Sequence, residues 1–207
     1  MPHGEYGKRL KLKNLKNMKY RKLGRSDLKI SSIGFGAWAI VGDATWGHQD
    51  EEDAVNAVKT AFDEGITFFD TAEMYGNGLS EKLLAKALNN VRDKVVLATK
   101  VKSTNLVYDG VLKACDQSLY NLATDYIDLY QIHWPSREIP FEESISALEY
   151  LKTKGKIRYY GVSNFGPIDL QNFLNCGGKP VSNQVAYNLL FRAVEFELVP
   201  IMLKENI

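Results

Sequence analysis

The sequence predicts an α/β fold in which a parallel sheet is built from repeated βα units. Six short apolar segments are typical of strands, and each is followed by a segment with apolar residues at helical spacing. The strand segments are apolar on both sides, which indicates a parallel sheet covered by helices. With 207 residues, 45% of them hydrophobic, the chain suits one large domain or two small ones.

Two elements precede the first βα unit. Residues 7–22, "GKRLKLKNLKNMKYRK", are strongly basic, and we interpret residues 1–17 as a flexible solvated arm in preference to a site for an anionic partner. In residues 20–36, two extended runs flank the turn signal "GRSD". This pattern predicts a β-hairpin.

The βα units then follow in order. Gly65 ends the first helix, Ser80 or Asn77 is a candidate cap of the second, and Pro167 takes the favoured first position of the fifth. The predicted strands cover residues 31–36, 66–70, 94–100, 125–133, 157–164 and 181–188, and the predicted helices cover 51–65, 79–90, 107–122, 141–155, 167–178 and 195–207.

Two architectures fit six such units. One is an open doubly wound sheet, and the other is a (βα)₈ barrel of which only the first six units are present. The segment "GFGAWAIVGD" begins as a dinucleotide-binding GxGxxG, but its third glycine falls one place late. This near-match favours neither architecture.

Composition excludes several classes of protein. A net charge of +1 argues against a nucleic-acid partner, and no apolar run is long enough to span a membrane. The two cysteines, Cys115 and Cys176, are interpreted as free thiols of a cytoplasmic protein, with a disulfide between them as the alternative. The three histidines are scattered, and no Cys/His spacing predicts a metal site.

Polar side chains occur where successive strands end. Each has a structural explanation of its own, such as a loop brace, a helix cap or a satisfied core histidine. A barrel, however, gathers the carboxyl ends of its strands at one rim, where barrel enzymes carry their active sites. The residues at or just after these ends are Asp70, Tyr75, Lys100, His133, Ser163, Asn164 and Gln184.

Four of these residues form a chemically coherent set. A tyrosine is a weak acid near neutral pH, and an adjacent lysine ammonium is expected to lower the pKa of the Tyr75 phenol. Asp70 would hold Lys100 in place and charged, and His133 would orient a carbonyl or join in proton transfer. The set suits a reaction in which a carbonyl oxygen gains a proton while its carbon gains a hydride.

The chain resembles the aldo-keto reductase superfamily from about residue 18 to its end. The resemblance rests on "GITFFDTAEMYGNGLSEKLLAKAL", "VVLATKV", "DLYQIHWP", "GKIRYYGVSNF" followed by "NQVAYNLL", and the opening "YRKLGRSDLKISSIGFGAWAIVG". The segment "AWAIVGDATWG" is most similar to the bacterial-type and channel-β-subunit-like branches.

The resemblance implies a (βα)₈ barrel over residues 18–207 whose N-terminal hairpin plugs its bottom. It also implies a catalytic tetrad and a nicotinamide cofactor, NADP in this family, with NAD left open. Trp38 and Trp134 match positions that line the substrate pocket, and Trp46 can reach the same mouth without an assigned role. The implied tetrad is Asp70, Tyr75, Lys100 and His133, and the implied contacts to the nicotinamide carboxamide are Ser163, Asn164 and Gln184.

The implied function is NADP-dependent reduction of an aldehyde or ketone. The alternatives are a regulatory subunit of the channel-β type and an inactive truncated fragment. Family members have eight βα units, and this sequence supplies six, so we expect a barrel that is incomplete at its C-terminal side. Its first and sixth strands would be open edges, and self-association through them is the expected consequence.

Overall fold

A computed structural model describes residues 18–207, and the predicted basic arm at residues 1–17 lies outside the described residues. An antiparallel hairpin precedes one six-stranded parallel sheet, whose strand order follows the chain order without reversal. That order is the order of a barrel and not of a doubly wound sheet. The hairpin strands are β1 (Tyr20–Lys22) and β2 (Lys29–Ser31), and the sheet strands are β3 (Gly34–Gly36), β4 (Phe68–Asp70), β5 (Val96–Val101), β6 (Ile127–Ile132), β7 (Ile157–Ser163) and β8 (Asn183–Gln184).

Helices follow the sheet strands and cover one face of the sheet. Val58, Leu84 and Leu148 from three helices share one buried cluster with Phe69 of β4 and Tyr130 of β6. This cluster is the main core, and its burial is the principal stabilising contribution to the fold. The helices are α1 (Glu51–Asp63), α2 (Leu79–Leu88), α3 (Tyr108–Leu122), α4 (Phe141–Thr153), α5 (Pro167–Asn175) and α6 (Leu198–Glu205).

The hairpin closes the inner side of the sheet at the amino ends of the strands. Leu28 is buried in a second, smaller cluster with Val96 and Ala98 of β5, Leu129 of β6, and Val181. Val96 and Ala98 lie four and two residues before Lys100, so all three point to the same face of β5. The plug therefore lies at the bottom of the curled sheet and leaves the carboxyl ends free for a site, as the resemblance implied.

Three local predictions were wrong. The last strand, predicted over residues 181–188, covers only Asn183–Gln184. The chain turns soon afterwards, where the Asn188 side chain accepts the backbone N–H groups of Leu190 and Phe191. Because both of those residues are apolar, the sequence pattern concealed this Asx turn.

The other two wrong predictions concern helix starts. The last helix, predicted from residue 195, begins at Leu198 after a short 3₁₀ turn. Helix α2 has Gly78 at its N-cap and no capping side chain, so neither Ser80 nor Asn77 caps it. Pro167 does occupy the start of α5 as predicted. No helix within residues 18–207 is both long and apolar enough to cross a membrane.

Candidate active site

A buried ion pair marks the carboxyl ends of β4 and β5. The Lys100 ammonium donates to Asp70 Oδ2 at 2.6 Å and to the Thr71 carbonyl at 2.8 Å, and Lys100 is only 1% exposed. Because β4 and β5 are parallel neighbours, Asp70 and Lys100 end adjacent strands at one rim. Desolvation lowers the pKa of Lys100, while the charge and hydrogen bond of Asp70 act in the opposite direction and favour the ammonium.

Two amide side chains complete the surroundings of Asp70. Gln131 of β6 donates to Asp70 Oδ1 and Gln184 of β8 donates to Oδ2, each at 3.2 Å. The contact with Gln184 joins the second and last strands of the sheet, which shows how strongly the sheet is curled. Gln131 is 2% exposed and was not among the residues predicted from the sequence, although a buried amide within the predicted strand 125–133 needs a partner.

Tyr75 lies against three other groups of the site. Its ring centroid is 5.3 Å from Lys100 Nζ, and the His133 ring meets it edge-on at 5.7 Å between centroids. Trp38 stacks on Tyr75 with centroids 5.8 Å apart and an interplanar angle of 15°. The structure thus brings Asp70, Tyr75, Lys100 and His133 together at one rim.

The loop that carries Tyr75 is held by its backbone conformation. Tyr75 begins a 3₁₀ turn in which Gly76, Asn77 and Gly78 all have positive φ values, of 57°, 50° and 86°. Glycine and asparagine tolerate this left-handed region better than other residues. The two glycines and the asparagine that follow Tyr75 therefore allow the turn that positions the phenol.

Hydrogen bonds from α2 and β5 fix the same loop from both sides. The Ser80 hydroxyl donates to the Ala37 carbonyl at 2.6 Å and accepts from the Thr71 hydroxyl at 2.8 Å. The Glu73 carboxylate accepts the backbone N–H of Lys102 at 2.6 Å, just beyond β5. These bonds set the distance between the Tyr75 loop and the strand that carries Lys100.

The electrostatics of the phenol differ from the sequence expectation. Burial and the negative charge of Asp70 raise the pKa of Tyr75 to about 12, so the pKa rises where the sequence predicted a fall. Burial and the positive charge of Lys100 lower the pKa of His133 to about 4. At neutral pH the site therefore presents a protonated phenol and a neutral imidazole.

His133 is held through its backbone and not through its ring. The Asn164 amide donates to the His133 carbonyl at 3.0 Å, whereas the buried Nδ1 atom has no partner among the described residues. An unpaired buried ring nitrogen is costly unless a ligand or water satisfies it. The orientation of the imidazole is therefore not set by a hydrogen bond from Nδ1 to another described residue.

The three residues predicted to hold the carboxamide lie together. Ser163 Oγ donates to the backbone carbonyl of Gln184 and accepts from Asn164 Nδ2, both at 3.1 Å. The side-chain hydrogen bonds of Asn164 and Gln184 to other described residues use the amide nitrogens and leave the side-chain amide oxygens as acceptors. A primary carboxamide needs such acceptors for its NH₂ group. The residues present therefore fit a nicotinamide carboxamide.

The two predicted pocket tryptophans occupy different places. Trp38 is 41% exposed and covers Tyr75, as described above. Trp134 is 53% exposed and lines a cavity of about 390 Å³ together with Asn164, Phe191 and Leu198. Trp46 meets the Trp38 ring edge-on at 5.6 Å. Within residues 18–207, no cluster of three or more His, Cys, Asp or Glu side chains has the arrangement of a metal site.

The curled parallel sheet with its hairpin defines a barrel-type α/β protein, and sequence comparison identifies its family. The sequence model of the Aldo/keto reductase family matches residues 32–207. The chain therefore belongs to the aldo/keto reductase family. This confirms the resemblance stated from the motifs.

Individual relatives lie in both branches that the sequence suggested. Methylglyoxal reductase YeaE of Escherichia coli is 39% identical over 176 residues, which cover 84% of this chain and 60% of the relative. A putative voltage-gated potassium channel subunit beta of Schizosaccharomyces pombe is 33% identical over 204 residues, with 90% and 58% covered. The chain thus spans about three fifths of the length of these relatives.

A solved structure supports the same fold. The aldo/keto reductase from Klebsiella pneumoniae, in complex with NADP and acetate, aligns with a TM-score of 0.79 and 34% identity. The alignment covers 86% of this chain and 62% of that protein. The curled six-stranded sheet and its hairpin therefore correspond to the first part of an aldo/keto reductase barrel.

Proposed function

We propose that this chain carries the active site of an NADP-dependent reductase of aldehydes or ketones. The observation that carries the proposal is the buried Lys100–Asp70 ion pair, which lies beside the Tyr75 ring, with His133 on the edge of the same ring. The cofactor, when bound, would supply a hydride to the carbonyl carbon. The side chains of this protein would donate the proton to the carbonyl oxygen and stabilise the charge that develops during the reaction.

Tyr75 is the proposed proton donor. With a pKa of about 12, the phenol keeps its proton at neutral pH and gives it up only to a strong base, such as the alkoxide that forms when a carbonyl is reduced. Lys100 would stabilise the resulting phenolate, because an ammonium favours a nearby anion. Asp70 keeps Lys100 in position, and the neutral His133 imidazole would orient the carbonyl oxygen by a hydrogen bond.

The proposed cofactor contacts are Ser163, Asn164 and Gln184, which would bind the carboxamide. The mutual placement of these side chains supports this assignment, as does the NADP in the Klebsiella pneumoniae structure. Titrating the chain with NADPH and with NADH compares its affinity for the two cofactors. Tighter binding of NADPH is the expected result, and equal or tighter binding of NADH would contradict it.

A regulatory subunit is the second candidate. It is favoured by the 33% identity with the Schizosaccharomyces pombe channel subunit. The same four residues would serve both functions, so geometry does not separate them.

The test combines nicotinamide fluorescence with turnover of a small aldehyde. Binding of NADPH together with its consumption supports the reductase. Binding without consumption supports the regulatory subunit. Absence of binding means that the 207-residue chain alone is inactive.

A further inference from the structure

A fully buried carboxylate lies behind the candidate active site, on the helix side of the sheet. Glu81 belongs to the first turn of α2 and has no exposed surface. Its Oε1 atom accepts the Thr99 hydroxyl at 2.7 Å, and its Oε2 atom accepts the side-chain amide of Asn121 at 2.9 Å. None of the ion pairs within residues 18–207 includes Glu81. Because a buried carboxylate is costly without a cationic partner, its presence here needs an explanation.

The two groups that donate to this carboxylate lie on different elements. Thr99 immediately precedes Lys100 on β5, and since side chains alternate along a strand, Thr99 points to the helices while Lys100 points to the interior. Asn121 lies near the end of α3, and Gln117 Nε2 fixes its amide by donating to Oδ1 at 3.1 Å. Glu81 therefore joins α2, α3 and the strand that carries Lys100.

The same network supports the end of the Tyr75 turn. Gly78 closes that turn and is the N-cap of α2. A Cβ placed at Gly78 would lie 2.4 Å from Asn121 Nδ2 and 3.6 Å from Glu81 Oε2, so the turn packs on the amide that Glu81 holds. The Ser80 hydroxyl holds the chain before Tyr75, whereas this contact holds the chain after it.

We propose that Glu81 is a positioning residue, which fixes the Tyr75 turn against β5 and so sets the distance between the Tyr75 ring and the Lys100 ammonium. In the proposed reaction this ammonium stabilises the phenolate, so the distance would affect proton transfer and not cofactor binding. The role in the reaction rests on the proposed function, whereas the placement of the two side chains does not.

The placement of the two side chains can be measured without any reaction. Lys100 Nζ lies over the Tyr75 ring at 5.3 Å from its centroid, so the ring current shifts the NMR signal of the Lys100 ε-methylene group. Lys100→Met assigns this signal, and Tyr75→Leu gives its position without the ring. The fraction of the ring-dependent shift that a variant retains reports how well it keeps the two side chains together.

Substitutions at Glu81 and Thr99 test the proposal. Glu81→Gln leaves an acceptor oxygen for Thr99 but turns an NH₂ group towards the Asn121 amide. Thr99→Val removes the hydroxyl and keeps the branched shape, and Thr99→Ser restores the hydroxyl. We expect Glu81→Gln and Thr99→Val to lose about half or more of the shift, because a buried polar group left unpaired favours rearrangement around it. Thr99→Ser should keep the shift.

Tyr160→Phe is the matched control. The Tyr160 hydroxyl on β7 donates to the Glu149 carboxylate on α4 at 2.6 Å. This variant therefore also deletes a hydroxyl that a strand donates to a helix carboxylate, but at a place where no contact to the Tyr75 turn is involved. The full shift should remain in it.

Two results would overturn the placement role. One is a full shift in both Glu81→Gln and Thr99→Val, and the other is an equal loss of the shift in Tyr160→Phe. If neither site variant folds, Asn121→Ala decides, because it removes the amide that supports Gly78 and leaves the Thr99 bond. A full shift in Asn121→Ala would then overturn the proposal.

Turnover separates this proposal from the proposed function. In Thr99→Val the rate of NADPH consumption at saturating aldehyde should fall about tenfold or more, because a misplacement of about 1 Å can cost 10²-fold. The Kd for NADPH should be unchanged, and Thr99→Ser should restore the rate. An unchanged rate alongside a lost shift would overturn the role in the reaction. Absence of carbonyl reduction in the unmodified chain, with the shifts as expected, would count against the proposed function alone.

Discussion

The Tyr75 hydroxyl is the single group on which the proposed reduction depends. Tyr75→Phe keeps the ring that contacts Trp38 and His133 and removes only the proposed proton donor. Since general acid catalysis contributes about 10²–10⁴-fold, we expect a loss of that order in NADPH consumption with an aldehyde. Cofactor affinity, measured by nicotinamide fluorescence, should be unchanged. Near-normal turnover would mean that another group donates the proton.

His133 should make the folded chain sensitive to moderate acid. Its pKa falls to about 4 in the folded state, so between about pH 6.5 and 4 the unfolded chain binds a proton that the folded chain does not. The free energy of unfolding therefore decreases as the pH falls through this range. Above about pH 6.5, His133 is neutral in both states and no longer makes stability depend on pH. Urea unfolding at pH 7 and pH 5 measures the decrease.

The matched control for this pH dependence is the exposed His48. His133→Asn should flatten the difference in unfolding free energy between the two pH values, and His48→Asn should leave it unchanged. An equal pH dependence in the chain with and without His133 would assign the acid sensitivity to other groups.

At the scale of single residues, the sequence predicted position better than environment. Asp70, Lys100 and His133 could be selected from the sequence because each is the polar last residue of a predicted apolar strand. Recognising such a strand end requires only the residue types along the chain. The pKa direction of Tyr75 was wrong because the sequence identifies a neighbouring lysine but not the burial that outweighs it. Gln184, which lies in the predicted strand 181–188, is exposed, whereas Gln131, which the sequence did not single out, is buried.

At the scale of elements, Gly78 joins the Tyr75 turn to α2 and α3. Its φ is 86°, and a Cβ placed there would lie 2.4 Å from Asn121 Nδ2, which in turn donates to the buried Glu81 carboxylate at 2.9 Å. Gly78→Ala should therefore lose about 1–2 kcal/mol for the left-handed backbone and about 1–3 kcal/mol more for the steric contact.

Gly155→Ala is the control for the Gly78 substitution. Gly155 has a φ of 72°, and a Cβ there would meet nothing within 4 Å, so only the backbone cost applies. Urea unfolding of both variants gives the difference in unfolding free energy between them. Equal losses would show that Asn121 moves aside without cost and that the contact does not hold the turn.

The regular elements were predictable because burial, continuous in the inner strands and confined to one face of the helices, leaves a pattern in their sequences. Strands β5 and β6 are buried at every residue, and α1, α2 and α3 each bury one face, so their sequences carry a strong pattern. The start of α2 was not predictable in the same way. The Ser80 hydroxyl is bonded to Ala37, 43 residues earlier, and a long-range bond of this kind leaves no local signal.

At the scale of the whole molecule, the curvature of the sheet is a tertiary property. Side chains from β4, β5, β6 and β8 meet at Asp70, and Leu28 fills the inner side below them. The apolar strands alone left both a doubly wound sheet and a barrel open. The motifs decided between these two architectures through the resemblance to a known family, and the strand order confirms the barrel arrangement.

The same sheet leaves two edges without partners in the part of the chain that is described. There, β3 pairs only with β4 and β8 pairs only with β7. Unpaired N–H and C=O groups on an edge strand favour pairing with another chain. Near β8, Leu189 and Leu190 are almost fully exposed and add apolar surface to this edge. We therefore expect the 207-residue chain to self-associate, with a weight-average mass in sedimentation that rises with concentration.

Gly36→Pro tests whether edge pairing causes this association. The Ala37 N–H donates to the Asp70 carbonyl on β4, and since N–H groups alternate sides along a strand, the Gly36 N–H faces the open edge. A Cβ at Gly36 meets nothing within 4 Å, so proline removes this outward donor without breaking the β3–β4 ladder. Weaker association in Gly36→Pro supports strand pairing. Weaker association only in Leu190→Ser would assign it to the apolar surface instead, and a monomer at every concentration would contradict both.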